Sequence, residues 1–246
     1  MMKDTLSFAR LALLLFGFVV IPTQAIVGGI ATTNSISIGA VYTQGLFGSQ
    51  YACAGTFVSS NKFLTAADCV LGHSPRDISI KWGASNRLNE PSSSPPTLVT
   101  IHPDYNELTG DANVAVLTLK TSTTGPSHAT LAKESSIQTG DALTLYGWGL
   151  TGLEGLSTRF PAELHMVEVP ALSTSECRSE GIDIGAGQFC DQSDSGKGFC
   201  IGDHGGPVVD SSGTVVGIIS GRENCGLGTP EVITNVAYYY HWIISQ

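Results

Sequence analysis

The sequence predicts an all-β protein, and three observations carry that reading. Only 13% of its 246 residues are charged and 29 are glycine, a balance that suits short strands joined by many turns better than long solvated helices. Its apolar residues fall in short runs bounded by Gly, Pro or Ser, as strands do. Helical patterning is confined to two short stretches late in the chain. The length accommodates one large domain or a double barrel, and easily buries a core.

The elements follow in chain order. Lys3 and Arg10 flank the start of an apolar stretch, Leu11 to Ile21, followed by Pro22-Thr23-Gln24-Ala25. This is a signal peptide over residues 1–25, with the cut after Ala25. The apolar run is too short for a membrane anchor. The mature chain begins Ile26-Val27-Gly28-Gly29. Thr56-Phe57-Val58, Ile78 to Trp82 and Leu98 to Ile101 read as strands. Between the last two, Asn86 to Pro96 is polar and proline-rich and reads as a surface loop. Thr121 to Pro126 reads as the connection between two halves of similar size. Leu143 to Tyr146 and Val215 to Ile219 are further strands. Leu172 to Gly181 reads as a short helix capped by Ser173 or Thr174, with Glu176 in its first turn. Ala237 to Ser245 reads as a terminal helix, apolar enough to be buried.

The net charge of −9 argues against nucleic acid and anionic membrane as partners. Six cysteines in a secreted chain imply an oxidised framework, whose connectivity spacing alone leaves open. No Cys-x-x-Cys pair occurs and the histidines are scattered, so neither metal nor cofactor is expected.

Several segments resemble the trypsin-like serine proteases. They are Ile26-Val27-Gly28-Gly29, Cys53-Ala54-Gly55, Thr65-Ala66-Ala67, His102-Pro103-Asp104-Tyr105, Gly147-Trp148-Gly149, Gly202-Asp203 with Gly205-Gly206-Pro207, and Trp242-Ile243. They stand in the family's order across residues 26–246. The resemblance implies two six-stranded antiparallel β-barrels with a C-terminal helix. It also implies the disulfides Cys53–Cys69, Cys177–Cys190 and Cys200–Cys225, and an Ile26 amine that pairs with Asp203.

The same resemblance locates a loss of chemistry. Asp68 stands where the family places its general base, Asn113 where an aspartate orients that base, and His204 where the serine nucleophile belongs. Asp111 lies two residues before Asn113, but the Ala115-Val116-Leu117 run aligns Asn113 with the orienting position. An imidazole cannot replace the serine oxygen in an acyl-enzyme ester. Gly202 and Asp203 are expected as relics of the oxyanion loop. Gly198, Arg222 and Glu231 are expected as relics of the specificity pocket, with Glu231 in the slot of a substrate side chain and available to pair with Arg222. His204 is expected to hydrogen-bond Asp68.

The whole-chain pattern, with its triad losses and acidic secreted context, most resembles the glucanase inhibitor proteins of plant-pathogenic oomycetes. That resemblance implies secretion into the host apoplast and a plant endo-β-1,3-glucanase as partner of a monomeric, non-enzymatic protein. The alternatives are a non-inhibitory secreted serine-protease homologue and a residual hydrolase.

Overall fold

The computed structural model describes residues 26–33, 37–120, 128–134, 137–151, 160–221 and 224–246. The expected signal segment 1–25, the expected connection at 121–126 and Arg222 lie outside them. In chain order the strands are β1 (Ile30–Ala31), β2 (Ile38–Gly45), β3 (Gly48–Ser59), β4 (Lys62–Thr65), β5 (Ile78–Trp82), β6 (Ser92–Ser94), β7 (Pro96–Ile101) and β8 (Ala115–Leu119). A second set comprises β9 (Ala142–Gly147), β10 (His165–Leu172), β11 (Gln188–Asp191), β12 (Pro207–Val209), β13 (Val215–Gly221) and β14 (Val232–Asn235). The helices are α1 (Thr174–Ser179) and α2 (Val236–Ser245).

The strands form two antiparallel, barrel-like sheets. The first runs β6-β5-β2-β3-β4-β8-β7. The second runs β1-β10-β11-β14-β13-β12-β9, and β9 pairs back onto β10 to close it. Each has six principal strands and one short addition, β6 or β1. The alternation in β5 shows why: Ile78, Ile80 and Trp82 are buried while Ser79 and Lys81 are half-exposed.

Inside the first barrel, Phe57 meets Phe63 and Trp82 edge-on, with ring centroids 4.9 and 5.2 Å apart. Gly39 and Gly55 are cross-strand partners. A Cβ on Gly55 would lie 2.2 Å from the Phe63 ring, so the pair of glycines forms the slot that ring fills. Leu143, Leu145, Phe189 and Ile233 fill the second barrel. A third cluster joins the barrels: Ile38, Ala40, Tyr42 and Tyr51 pack with Tyr146, Trp148 and Leu164.

Helix α1 is capped by Ser173, whose hydroxyl accepts from the Glu176 amide, while Glu176 is the acidic residue of the first turn. Helix α2 starts at Val236, capped by Asn235. It corrects the expectation of general burial: Val236, Tyr239 and Ile243 face the core, whereas Tyr238 and Ile244 are exposed. One stripe per turn is all that a helix lying on a barrel can bury.

The polar stretch 86–96 also departs from a plain surface loop. It contains β6, and it buries Arg87. That side chain donates from Nε to Pro161 O at 2.7 Å, from Nη2 to Phe160 O at 2.6 Å and from Nη1 to Tyr42 Oη at 3.3 Å. It also lies 4.9 Å from the centroid of the Tyr51 ring. One arginine thus ties the first barrel to the segment preceding β10. Arg87→Ala would leave two carbonyls without donors and should cost about 2–4 kcal/mol in urea unfolding, while Arg87→Lys should recover only part of the loss.

Candidate degenerate active site

Pairing of β4 with β8, in which Thr65 faces Ala115, sets Asp68 and Asn113 side by side where each strand leaves the sheet. The Asp68 amide donates to Asn113 Oδ1 at 3.0 Å, and Asn113 Nδ2 donates to Asp68 Oδ2 at 2.9 Å. The same amide nitrogen donates to the Ser220 carbonyl on β13. His204 completes the chain from the other barrel, with Nδ1 2.7 Å from Asp68 Oδ2. The three positions singled out in the sequence therefore converge. Asn113 suits this set because it gives Asp68 a donor; a carboxylate there would face a second carboxylate. The arrangement orients an imidazole, as a catalytic triad does, but contains neither hydroxyl nor thiol to activate.

The loop bearing His204 is held closely. The Ala54 amide donates to His204 O at 2.9 Å, and the Gly205 amide to Ile219 O at 2.7 Å. Gly205 has φ +78°, and a Cβ there would lie 2.2 Å from Ala54 O and from Thr65 Oγ1. Only glycine lets the loop approach both strands. Asp203 is fully buried. Its carboxylate accepts from the Gly149 amide at 2.7 Å and the Cys200 amide at 2.9 Å. Tyr51 donates to Gly202 O at 2.7 Å. Burial first, and the charge of Asp203 second, push the Tyr51 phenol well above its usual range, so it remains a donor. Ile26 is fully buried with Phe199 in the second barrel's core, and Val27 exchanges two backbone hydrogen bonds with Gly198.

The pocket beside this loop is filled from within. Glu231 is 1% exposed, and a Cβ on Gly198 would lie 2.4 Å from its Oε2. Oε2 accepts from the Phe199 amide and Oε1 from the Asn224 amide, each at 2.8 Å. Its own amide donates to Asp191 Oδ1 at 3.0 Å. The carboxylate thus stitches β14 to the segments on both sides of the Cys200–Cys225 disulfide. The expected pairing with Arg222 falls outside the described residues; the partners seen are backbone amides. The other disulfides join Cys53 to Cys69 and Cys177 to Cys190.

Asp191 is a site residue that sequence reading passed over, because a carboxylate ending a strand resembles any turn residue. It is fully buried, and Ser193 donates to it at 3.0 Å. Burial pushes Asp191 up to about 7. Burial, then the Asp191 charge, push Glu231 up to about 8, against its two amide donors. Asp111 is a different case: it turns away from Asp68, its carboxylate over Gly185 and bonded by Thr109.

A carboxyl group raised in this way holds its proton more tightly folded than unfolded. The stability contributed by these two groups should therefore be fullest below the unfolded value of about 4 and be lost as pH rises towards 8. Asp191→Asn keeps the acceptor for the Glu231 amide and removes one charge. It should flatten the decline and raise Tm at pH 8 by about 2–4 °C, the equivalent of roughly 1 kcal/mol, as read by thermal unfolding at pH 5 and pH 8.

Comparison with known proteins agrees with this architecture. Residues 26–243 match the trypsin family. The chain is 32% identical over 204 residues to brachyurin of Leptuca pugilator, covering 80% of this chain and 88% of that protein. It is 32% identical over 228 residues to trypsin delta of Drosophila melanogaster, covering 90% and 88%. Among solved structures it superposes on the scabies mite inactivated protease paralogue S-D1 with a TM-score of 0.79 and 25% identity, covering 89% of this chain and 96% of that one. The fold, the site and these relatives together make the chain a member of the trypsin family.

Proposed function

We propose that this protein is a non-proteolytic trypsin homologue that acts by binding another protein. The observation that carries the reading is the hydrogen-bonded set Asp68–Asn113–His204, which orients an imidazole without a nucleophilic oxygen. Glu231 supports it by filling the pocket that a substrate side chain would need. A second support is the inactivated mite paralogue, a likeness on which chemistry is lost and the fold kept. The three disulfides fit an extracellular setting.

For the partner we propose a plant endo-β-1,3-glucanase met in the host apoplast, inhibited through a protein–protein interface. The support is the whole-chain resemblance to oomycete glucanase inhibitor proteins; no motif here recognises glucan. An interface of about 1,600 Å² would suffice. Rim loops such as Gly45–Gln50 would carry it, since surface loops carry binding on rigid scaffolds. Cleavage after Ala25 would free the Ile26 amine for the buried Asp203 carboxylate, ordering the site loop without zymogen activation.

Neither the mature protein nor His204→Ser should hydrolyse casein or small esters or label with a serine-directed phosphonate, because position 68 offers the serine no imidazole. Labelling of the unsubstituted protein would overturn the non-proteolytic reading. N-terminal sequencing should begin at Ile26. Laminarin hydrolysis by a panel of apoplastic glucanases should fall when the protein is added. His204→Ala should leave that inhibition nearly intact. No inhibition and no co-precipitation across the panel would remove the glucanase assignment.

A further inference from the structure

Asp111 is the acidic residue that the degenerate triad leaves unused. It lines a cavity of about 370 Å³ with Asp104, His102, Tyr238, Tyr239 and Trp242, floored by the backbone at 185–187. The rings form a continuous wall: Tyr238 meets Tyr239 at 5.0 Å, Tyr239 meets His102 at 5.0 Å, and His102 meets Trp242 at 4.7 Å between centroids. Tyr238 is exposed and Trp242 half-exposed, so both rings are within reach of an incoming group.

The electrostatics of this cavity have one sign. His102 Nδ1 accepts from the Asp104 amide, which fixes the ring as a neutral acceptor there. Burial lowers its pKa further, against the pull of Asp104. The charges of Asp104 and Asp111 both reach Tyr239, whose phenol is pushed up to about 12, first by burial. Among the described residues no lysine or arginine lines the cavity. Two carboxylates beside aromatic faces, with no internal cation, are complementary to a guanidinium or ammonium group. The volume lies at the low end of ligand pockets and suits a single long side chain.

We propose that this groove is an anchor site for an arginine or lysine side chain presented by a protein partner. It rests on the reading that the protein acts by binding another protein, and adds to it the chemistry of one contact. A planar guanidinium would stack on Trp242 or Tyr238 while its edge bonds Asp104 and Asp111. The acidic chain as a whole, at −9, draws a basic partner surface towards it.

The test uses the mature protein and the probe peptide Gly-Gly-Arg-Gly-Gly, followed through the indole N–H resonance of Trp242 by NMR. Trp82 and Trp148 are buried elsewhere and serve as internal references. A saturable shift of Trp242 alone is expected, absent with the neutral citrulline peptide. Asp104→Asn with Asp111→Asn should weaken it at least about ten-fold, since both charge-assisted contacts are lost. Unchanged Trp82 and Trp148 resonances would show that this double variant is folded. No shift, an equal shift with citrulline, or full binding by the double variant would overturn the proposal. A stronger response to spermidine than to the peptide would assign the groove to a free polyamine and overturn it too. Peptidase and laminarin assays read the relic site and the partner separately, so failure here is distinguishable from failure of the binding reading.

Discussion

The buried carboxylate of Asp203 is the constraint on which the rest of the site depends. It takes amide donors from Gly149, beyond β9, and from Cys200, at the root of the site loop. A charge with no solvent contact persists only where donors surround it. Neither Gly147 nor Gly149 could carry a side chain, since a Cβ would lie 2.0 and 2.4 Å from that carboxylate. With the loop so fixed, Gly205 can enter between Ala54 and Thr65, and position 204 must face position 68.

That rigidity explains how residue types at the site can depart from the family's without loss of structure. At 68, 113 and 204 a carboxylate stands where the family has its imidazole, an amide where it has its carboxylate and an imidazole where it has its serine, and hydrogen bonds still link the three across the cleft. The pocket follows the same logic. Two amide donors hold the Glu231 carboxylate and offset part of the cost of burying it beside Asp191. The residual cost is the pH-sensitive feature of the fold.

Charge is distributed accordingly. Buried carboxylates at 191, 203 and 231 serve the interior, whereas Asp104 and Asp111 sit in an aromatic groove on the first barrel's flank, against α2. The interior acids bind backbone. The groove acids line a cavity in which, among the described residues, no lysine or arginine takes part. This contrast separates groups that stabilise the fold from groups available to a partner.

Much of this was legible in the sequence. Alternation at Ile78, Ile80 and Trp82 determined a strand, Ser173 and Glu176 determined a capped helix, and the motif series determined the double barrel, because each depends on local periodicity or on a pattern carried along the chain. The degenerate positions Asp68, Asn113 and His204 were equally plain, since residue type alone decides whether a nucleophile exists. What the tertiary structure alone decided were contacts between residues far apart in sequence. Arg87 reads as a loop charge until the Phe160 and Pro161 carbonyls come to meet it. Asp191 reads as a turn residue until β11 pairs with β14 and brings Glu231 against it. Asp111, which the sequence sets aside from the orienting position, reads as a loop charge until the elements around it form the groove. Sequence patterns carry periodicity and residue chemistry. The partner of a buried charge is decided by which strands meet.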